Sequence, residues 1–208
     1  MATAARILSI QVGLPRERQH HDSPWTTGIF KDPVSGPVRA TADGLSGDGQ
    51  ADPRFHGGPD RAILLYSKAN YPTFEAIIGR PIPPGGFGEN FTLDALNEDE
   101  VCLGDIWVTD RIRIEVSQPR LPCYKLGRRL DAPEIVKAVM DRRRGGWYAR
   151  VLTEGVVEPG DELRLVDRPF PQWSISKAFH NFLTGQNEAE LGSIPALSAL
   201  WRDRLLDS

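Results

Sequence analysis

The chain has 208 residues, and its 25 basic and 28 acidic side chains leave it almost neutral. Proteins that bind duplex nucleic acid usually carry a strong basic excess, so this balance argues against that class. No run of 18 apolar residues occurs, and no membrane span is therefore predicted. A chain of this length buries enough surface to form a core without disulfides or metals.

The chain contains two cysteines, Cys102 and Cys123. Its start lacks the apolar core and cleavage site of a signal peptide, so we expect free thiols in a reducing cytoplasm. A cysteine-ligated iron–sulfur cluster usually needs four thiolates, and no dinucleotide or Walker A motif is present. Electrons for any redox reaction would therefore come from another protein.

Short alternating segments between glycines and prolines predict a β-rich domain. The predicted strands cover residues 6–13, 37–42, 62–66, 91–93, 106–109, 111–117, 148–152 and 162–166. Two helices are predicted at 67–78, where Ser67 can cap, and at 132–144, with Asp131 as cap and Pro133 at the first helical position. The fold class is mainly β with helical insertions, in a closed or nearly closed β-barrel.

The sequence Arg168-Pro169-Phe170-Pro171 marks a change in composition. Helices are predicted after it at 174–183, 188–191 and 195–206, and the last has apolar residues at helical spacing. We therefore predict two domains: a barrel over residues 1–168 and a small three-helix domain over residues 169–208.

The stretch Ser117-Gln-Pro-Arg-Leu-Pro-Cys-Tyr-Lys-Leu-Gly127 places one of the two cysteines at the end of a predicted strand. Proline has no amide hydrogen to donate to a sheet, so Pro119 and Pro122 should end the strand and stiffen the backbone. A stiff backbone suits a side chain that must hold one direction. Cys123 therefore has the setting of a functional residue.

Charged neighbours distinguish this cysteine from the other one. Arg120 and Lys125 can stabilise a thiolate at Cys123, which favours a reactive or metal-ligating role. Cys102 lies between valine and leucine, and this setting favours a buried and inert thiol.

The tripeptide His56-Gly57-Gly58 allows two interpretations. Adjacent glycines let a ligand approach the main chain, and a histidine can titrate near neutral pH. Arg54 and Arg61 flank the tripeptide and add positive potential. The alternative is a tight turn with an ordinary histidine.

A second glycine-rich stretch, Pro84-Gly-Gly-Phe-Gly-Glu-Asn90, also has two interpretations. Its backbone could form a nest for an anion beside Glu89 and Asn90. A wide turn that precedes a strand explains the stretch equally simply, and such turns are the commoner case.

Taken together, these stretches resemble the MOSC domain family, named for the C-terminal domain of molybdenum cofactor sulfurase, and its bacterial YiiM-like branch in particular. The matching residues are Asp52-Pro53-Arg54-Phe55-His56-Gly57-Gly58-Pro59-Asp60-Arg61-Ala62, Phe87-Gly88-Glu89-Asn90-Phe91, Cys102-Leu103-Gly104-Asp105 and Ser117-Gln118-Pro119-Arg120-Leu121-Pro122-Cys123-Tyr124-Lys125-Leu126. The tail from about Ser174 resembles the three-helix domain that follows the barrel in this branch.

The resemblance implies a molybdenum–pterin cofactor (Moco) in the barrel, with Cys123 as its metal ligand. Members of this branch reduce N-hydroxylated compounds, including hydroxylamino-purine base analogues, with a separate electron-donor protein. His56 is the best candidate proton donor by its chemistry. The candidates for binding the cofactor are Arg54, His56, Gly57, Gly58, Arg61, Glu89, Asn90, Arg120 and Lys125.

Two other hypotheses stay open at this point. Cys123 could act as a nucleophile with His56 as its base, as in a cysteine hydrolase or a sulfur-transfer enzyme. The chain could also be a non-catalytic module that carries the cofactor or sulfur. The sequence leaves a homodimer open.

Overall fold

The computed structural model describes residues 3–20, 23–52 and 57–206. Within these ranges the strands are β1 (Ala4–Val12), β2 (Arg16–His20), β3 (Ser23–Thr27), β4 (Asp32–Pro33), β5 (Val38–Thr41), β6 (Gly44–Leu45), β7 (Ile63–Ser67), β8 (Phe91–Leu93), β9 (Ile106–Val108), β10 (Arg113–Pro119), β11 (Trp147–Thr153), β12 (Gly155–Val157) and β13 (Glu162–Asp167). The helices are α1 (Tyr71–Ile78), α2 (Tyr124–Arg129), α3 (Glu134–Arg142), α4 (Ile175–Thr184), α5 (Glu188–Gly192) and α6 (Ala199–Leu206), with 3₁₀ turns at Pro59–Arg61 and Lys68–Asn70. None of these helices is both long and apolar enough to cross a membrane.

Seven of the described strands close into a β-barrel. Their order is β13-β9-β10-β11-β7-β8-β1, and β1 pairs with β13 to complete the ring. Neighbours run antiparallel except β7 and β8, which are parallel. Closure leaves the barrel without an open sheet edge. The predicted fold class, mainly β with helical insertions, is confirmed.

The predicted strands are all present, and each lies within two residues of its predicted bounds. The hairpin of β2 and β3 and the short strands β4, β6 and β12 were not predicted. Strand β2 is exposed or half-buried along its whole length, so it has no alternation of apolar and polar residues to recognise. Strands β4, β6 and β12 are two or three residues long, too short for a periodic signal.

The two predicted helices begin later than expected. Ser67 does act as a cap, since its hydroxyl accepts a hydrogen bond from the amide of Ala69, but it caps a 3₁₀ turn that precedes α1. The prediction that Asp131 caps the next helix is wrong. Asp131 has a φ of 45°, in the left-handed region, and α3 begins only after Pro133. Proline restricts the residue before it, which delays the helix start.

The buried side chains of the barrel and of the C-terminal helices form one continuous core. The cluster includes Ile7, Phe91 and Trp147 from the barrel, and it continues into Phe179 of α4 and Trp201 of α6. Three helices follow residue 168, as predicted. The proposed boundary between two domains stays a prediction, because the core runs across it.

Strand β10 is irregular at Ser117. Val116 pairs with Ala149 and Gln118 pairs with Tyr148, so β10 uses two steps where β11 uses one. Ser117 is therefore the extra residue of a β-bulge, a feature that bends a strand and redirects its side chains.

The bulge fastens two other parts of the chain to the barrel. The carbonyl oxygen of Ser117 accepts a hydrogen bond from the amide of Ser198, 3.1 Å away, just before α6. The hydroxyl of Ser117 lies within hydrogen-bond distance of the carbonyl oxygens of Asp60 and Tyr148.

Asp60 strengthens the same junction. Its Oδ1 accepts hydrogen bonds from Nε and Nη2 of Arg150 on β11, at 3.0 and 2.7 Å. Its Oδ2 accepts a hydrogen bond from the amide of Ala199, the first residue of α6, at 2.9 Å. One carboxylate thus holds the 3₁₀ turn, the barrel wall and the C-terminal helix together.

The substitution Asp60→Ala should lower the free energy of unfolding by about 1–2 kcal/mol, because it removes charge-assisted hydrogen bonds from a half-buried position. Urea denaturation measures this change. Asp110→Ala is the matched control, since Asp110 also pairs with an arginine, Arg164, but its side chain is 84% exposed. An equal shift of the unfolding midpoint in both variants would contradict the role assigned to Asp60.

Candidate functional site

Cys123 lies where two cavities meet. Both cavities are lined by Leu121, Cys123, Lys125 and Tyr148. The first also contains Arg120 in its wall and holds about 60 Å³, and we call it the Arg120 cavity. The second contains Gln118 in its wall and holds about 510 Å³, and we call it the Gln118 cavity.

The strand before Cys123 ends at a proline, as predicted from the sequence. Strand β10 ends at Pro119, and the amide of Arg120 makes a last bond to the carbonyl oxygen of Gly146, at 3.0 Å. Cys123 is extended, with a φ of −116°, and its carbonyl oxygen accepts the amide hydrogen of Leu126. The thiol of Cys123 is free and half-buried. The residue immediately precedes the short helix α2, which the sequence did not predict.

Arg120 brings a buried positive charge to this site. Arg120 is 5% exposed, and its Nη2 donates a hydrogen bond to the carbonyl oxygen of Phe87 at 3.1 Å. Its Nη1 has no hydrogen-bond partner among the described residues. Buried donors are nearly always paired in folded proteins, so an unpaired guanidinium N–H in a residue that lines this cavity is unusual.

A second buried cation, Lys31, lines the same cavity. It forms an ion pair with Asp48, which also accepts hydrogen bonds from the amide of Gly13 at 2.9 Å and from Nδ2 of Asn90 at 3.0 Å. Burial lowers the pKa of the Lys31 ammonium, and Asp48 opposes this shift. The Oδ1 of Asn90 in turn accepts the amide hydrogen of Leu64, so this wall is held rigidly.

Glu89 is fully buried and lines neither cavity at Cys123. Its carboxylate accepts hydrogen bonds from the amides of Gly85 and Phe87, at 2.9 and 3.0 Å, and from the hydroxyls of Thr92 and Tyr71. The amides of the glycine-rich stretch therefore face a carboxylate of the protein itself. The turn interpretation describes this stretch, and the predicted contact of Glu89 with a cofactor has no support in the geometry.

The predicted glycine loop lies next to the site. Gly57 and Gly58 line a third cavity of about 180 Å³, and Arg61 lines both this cavity and the Gln118 cavity. The glycines have φ values of +92° and +81°, which other residues rarely adopt. The predicted site residues Arg54 and His56 lie outside the described residues.

Tyr148 is a site residue that the sequence did not reveal. It lines both cavities beside Cys123, and its hydroxyl interacts electrostatically with the guanidinium of Arg120. Burial raises the pKa of its hydroxyl, and the positive charges of Arg120 and Arg61 oppose this rise. Tyr148 lies in an ordinary predicted strand, and the sequence marks it only by the pair Gly145-Gly146 shortly before it.

Cys102 contrasts with Cys123, as predicted. It is 2% exposed, and its amide donates to Oδ2 of Asp105 at 2.9 Å. Burial raises the pKa of its thiol to about 11. Cys102 is therefore a buried and protonated thiol at neutral pH.

Comparison with known proteins identifies the family. The MOSC domain profile matches residues 52–164, which include Cys123, Arg120 and Tyr148. The chain belongs to the MOSC family. The MOSC domain is in general a domain that binds the molybdenum cofactor.

Relatives of this MOSC protein cover most of its length. It is 38% identical to the uncharacterised protein YflK of Bacillus subtilis over an alignment 213 residues long, which covers 96% of each chain. It is also 38% identical over 156 residues to a protein named reductase from Gibberella moniliformis, covering 72% of this chain and 27% of that protein. The crystal structure of YiiM from Geobacillus stearothermophilus superposes with a TM-score of 0.82 at 38% identity, over 98% of both chains. The resemblance to the YiiM-like branch is thus confirmed.

The two cysteines should differ in reactivity toward iodoacetamide at pH 7. Cys123 should be alkylated first, because it is half-buried at a cavity, whereas the raised pKa of Cys102 leaves only about one thiolate in 10⁴ molecules. Peptide mass spectrometry measures the order of labelling. Labelling of Cys102 should rise about tenfold per pH unit above pH 7 and level off only near pH 11. Cys102→Ala should leave the fast reaction unchanged, and faster labelling of Cys102 would refute the assignment.

Proposed function

We propose that this MOSC protein is a molybdenum-cofactor-dependent reductase of N-hydroxylated compounds, with Cys123 as the protein thiolate on the metal. The observation that carries the proposal is the position of Cys123 between two unlike cavities. One is small, with the buried cations Lys31 and Arg120 in its wall. The other is large and combines apolar side chains of α6 with Arg61, Lys125 and Arg204. The small cavity suits the phosphate of an anionic cofactor, and the large cavity has room for a small organic molecule.

The cationic side chains of the Arg120 cavity suit the phosphate of the cofactor. A pterin cofactor carries a phosphate, and the unpaired Nη1 of Arg120 and the ammonium of Lys125 are suitable donors for it. Lys31 adds a further positive charge, although Asp48 already neutralises much of it. A thiolate is a soft ligand of the kind that a redox-active metal prefers. When bound, the cofactor would supply two electrons to the N–O bond of the substrate.

The chain itself would orient the reactants and supply protons. Reduction of a hydroxylamine to an amine and water consumes two electrons and two protons, so a proton donor is needed at the junction of the cavities. Tyr148 is a suitable group, because its hydroxyl is protonated at neutral pH and the residue lines both cavities beside Cys123. His56, predicted as the donor from the sequence, stays a prediction. Pro122 and helix α2 would hold Cys123 in one direction.

Two further observations support a reductive reaction. The fungal relative with 38% identity is named reductase. The sequence has no dinucleotide fingerprint, which favours electrons from a separate donor protein. The chain alone, supplied with NADH, should therefore fail to reduce the substrate.

The deciding experiment uses protein made in a host that synthesises the cofactor. Molybdenum per chain is measured by mass spectrometry of the element, and turnover is measured with a reduced viologen dye and 6-hydroxylaminopurine. The proposal requires both stoichiometric molybdenum and production of adenine. Molybdenum without turnover would favour a carrier module, and hydrolysis or sulfur transfer without molybdenum would favour the cysteine nucleophile.

The substitution Cys123→Ser should remove the reductase activity and most of the molybdenum, because a neutral hydroxyl is a much poorer ligand than a thiolate. The unfolding midpoint should stay near that of the wild type, since Cys123 is only half-buried. Cys102→Ala is the matched control and should keep its molybdenum. Full activity of Cys123→Ser with the chemical donor would rule out the ligand assignment.

The substitution Arg120→Met should lower molybdenum content at least tenfold, because it removes the charge-assisted donor assigned to the cofactor. Arg128→Met is the control, since Arg128 packs against Trp25 and Tyr124 and lines neither cavity at Cys123. Elemental analysis and melting temperature are measured on both variants. If a folded Arg120→Met protein keeps its full molybdenum content, Arg120 does not hold the cofactor.

A further inference from the structure

The pair Gly145-Gly146, just before strand β11, packs against the backbone of Arg120. A Cβ atom on Gly145 would lie 2.2 Å from the carbonyl oxygen of Arg120, so the two main chains are in direct contact. The carbonyl oxygen of Gly146 accepts the amide hydrogen of Arg120 at 3.0 Å. Tyr148 follows Gly146 by two residues and pairs with Gln118 on β10. The glycine pair therefore touches one site residue and leads directly to another.

Glu98 holds this glycine pair from the other side. The residue is fully buried, and its Oε1 accepts the amide hydrogen of Gly146 at 2.8 Å. Nδ2 of Asn70 lies 3.2 and 3.1 Å from the two carboxylate oxygens, and Nε of Arg144 lies 3.8 Å from Oε2. Burial raises the pKa of the Glu98 carboxyl, and the hydrogen bonds from Asn70 and Gly146 and the charge of Arg144 oppose this rise. The carboxylate thus has a fixed place behind the glycines.

The position of Glu98 is itself fixed from a third direction. Its carbonyl oxygen accepts the amide hydrogen of Ser176 in helix α4 at 2.7 Å. Glu98 lies between β8 and β9 and lines neither cavity at Cys123. Any effect of Glu98 on the site must therefore pass through the residues that it contacts, and Gly146 is the contact that reaches Arg120.

We propose that Glu98 is a positioning residue of the site: its hydrogen bond to the amide of Gly146 fixes the glycine pair, which in turn fixes the backbone of Arg120 and the start of the strand that carries Tyr148. The inference rests on the proposed function for the roles of Arg120 and Tyr148 toward the cofactor and substrate. The hold on the backbone of Arg120 does not depend on any bound group.

The substitution Glu98→Ala tests the proposal because it removes the acceptor for the Gly146 amide. Hydrogen–deuterium exchange of the Arg120 amide, measured by NMR relative to the other amides of β10, should accelerate about tenfold, the effect of one lost hydrogen bond. Molybdenum per folded chain should fall about fivefold, less than for Arg120→Met, because the guanidinium is still present.

The substitution Glu98→Gln is the conservative rescue. It keeps a side-chain oxygen for the amide of Gly146, and Asn70 can turn its own amide group over to accept from the new nitrogen. Relative exchange and molybdenum content should both stay within about twofold of the wild type, well below the effect of losing the hydrogen bond. A Glu98→Gln protein that behaves like Glu98→Ala would overturn the assigned route through Gly146.

The matched control is Asp105→Ala. Asp105 is equally buried, and its carboxylate accepts hydrogen bonds from Arg168 and from the amide of Cys102, neither of which belongs to the glycine pair. This variant should lower the melting temperature comparably. It should leave the relative exchange of the Arg120 amide and the molybdenum per folded chain unchanged. A merely structural role of Glu98 predicts the same results for both variants, and that outcome would overturn the proposal.

The substitution Gly145→Ala keeps the test available if Glu98→Ala fails to fold. Gly145 lies outside the left-handed region, so alanine fits its backbone, but the added Cβ would displace the carbonyl oxygen of Arg120. The variant should reproduce the faster relative exchange and the lower molybdenum content. Unchanged relative exchange of the Arg120 amide in folded Gly145→Ala or folded Glu98→Ala would refute the positioning role.

The two measurements separate this inference from the proposed function. Faster exchange of the Arg120 amide in Glu98→Ala, in a protein whose wild type never contains molybdenum, would support the positioning role and reject the reductase. A wild type with molybdenum and reductase activity, together with full molybdenum content in Glu98→Ala, would support the reductase and reject the role of Glu98.

Discussion

Strand β10 has one residue more than its partner β11 between Val116 and Gln118. The extra residue, Ser117, forms a β-bulge. The bulged residue uses its carbonyl oxygen to hold the start of α6 and its hydroxyl to contact the backbone of Asp60 or Tyr148. It also turns the following side chain away from the core. The 3₁₀ turn Pro59–Arg61, the chain segment that leads to Cys123 and helix α6 therefore meet at one irregularity in the barrel wall.

The site on this wall has a small cavity with buried charge on one side of Cys123. On the other side lies a larger cavity in which apolar residues of α6 meet the charged side chains of Arg61, Lys125 and Arg204. Burying Lys31 beside Asp48 is tolerable because hydrogen bonds from Gly13 and Asn90 satisfy the remaining oxygen positions of the carboxylate. Arg120 is less completely satisfied. Unsatisfied buried groups are costly to stability, so the two in residues that line these cavities, Gln118 and Arg120, suit a binding site better than a structural network.

The C-terminal helices complete the site as well as extending the core. Leu200 and Trp201 of α6 form a wall of the larger cavity, and the carboxylate of Asp60 holds the first turn of this helix. The barrel alone would leave that side of Cys123 open. The tail predicted as a separate appendage is therefore, in its packing, part of the functional surface.

The sequence alone was sufficient for the barrel strands, for the difference between Cys102 and Cys123, and for the family. These properties depend on local patterns: alternation of apolar residues, prolines that end a ladder, and charged or apolar neighbours along the chain. Lys31, Tyr148 and the wall of α6 join the site only in the folded chain, since they are distant in sequence from Cys123. The bulge is likewise a product of pairing, because an extra residue exists only relative to a partner strand. The partners of Glu89 were likewise decided by the tertiary structure. The glycine-rich stretch folds back so that the amides of Gly85 and Phe87 donate hydrogen bonds to the Glu89 carboxylate.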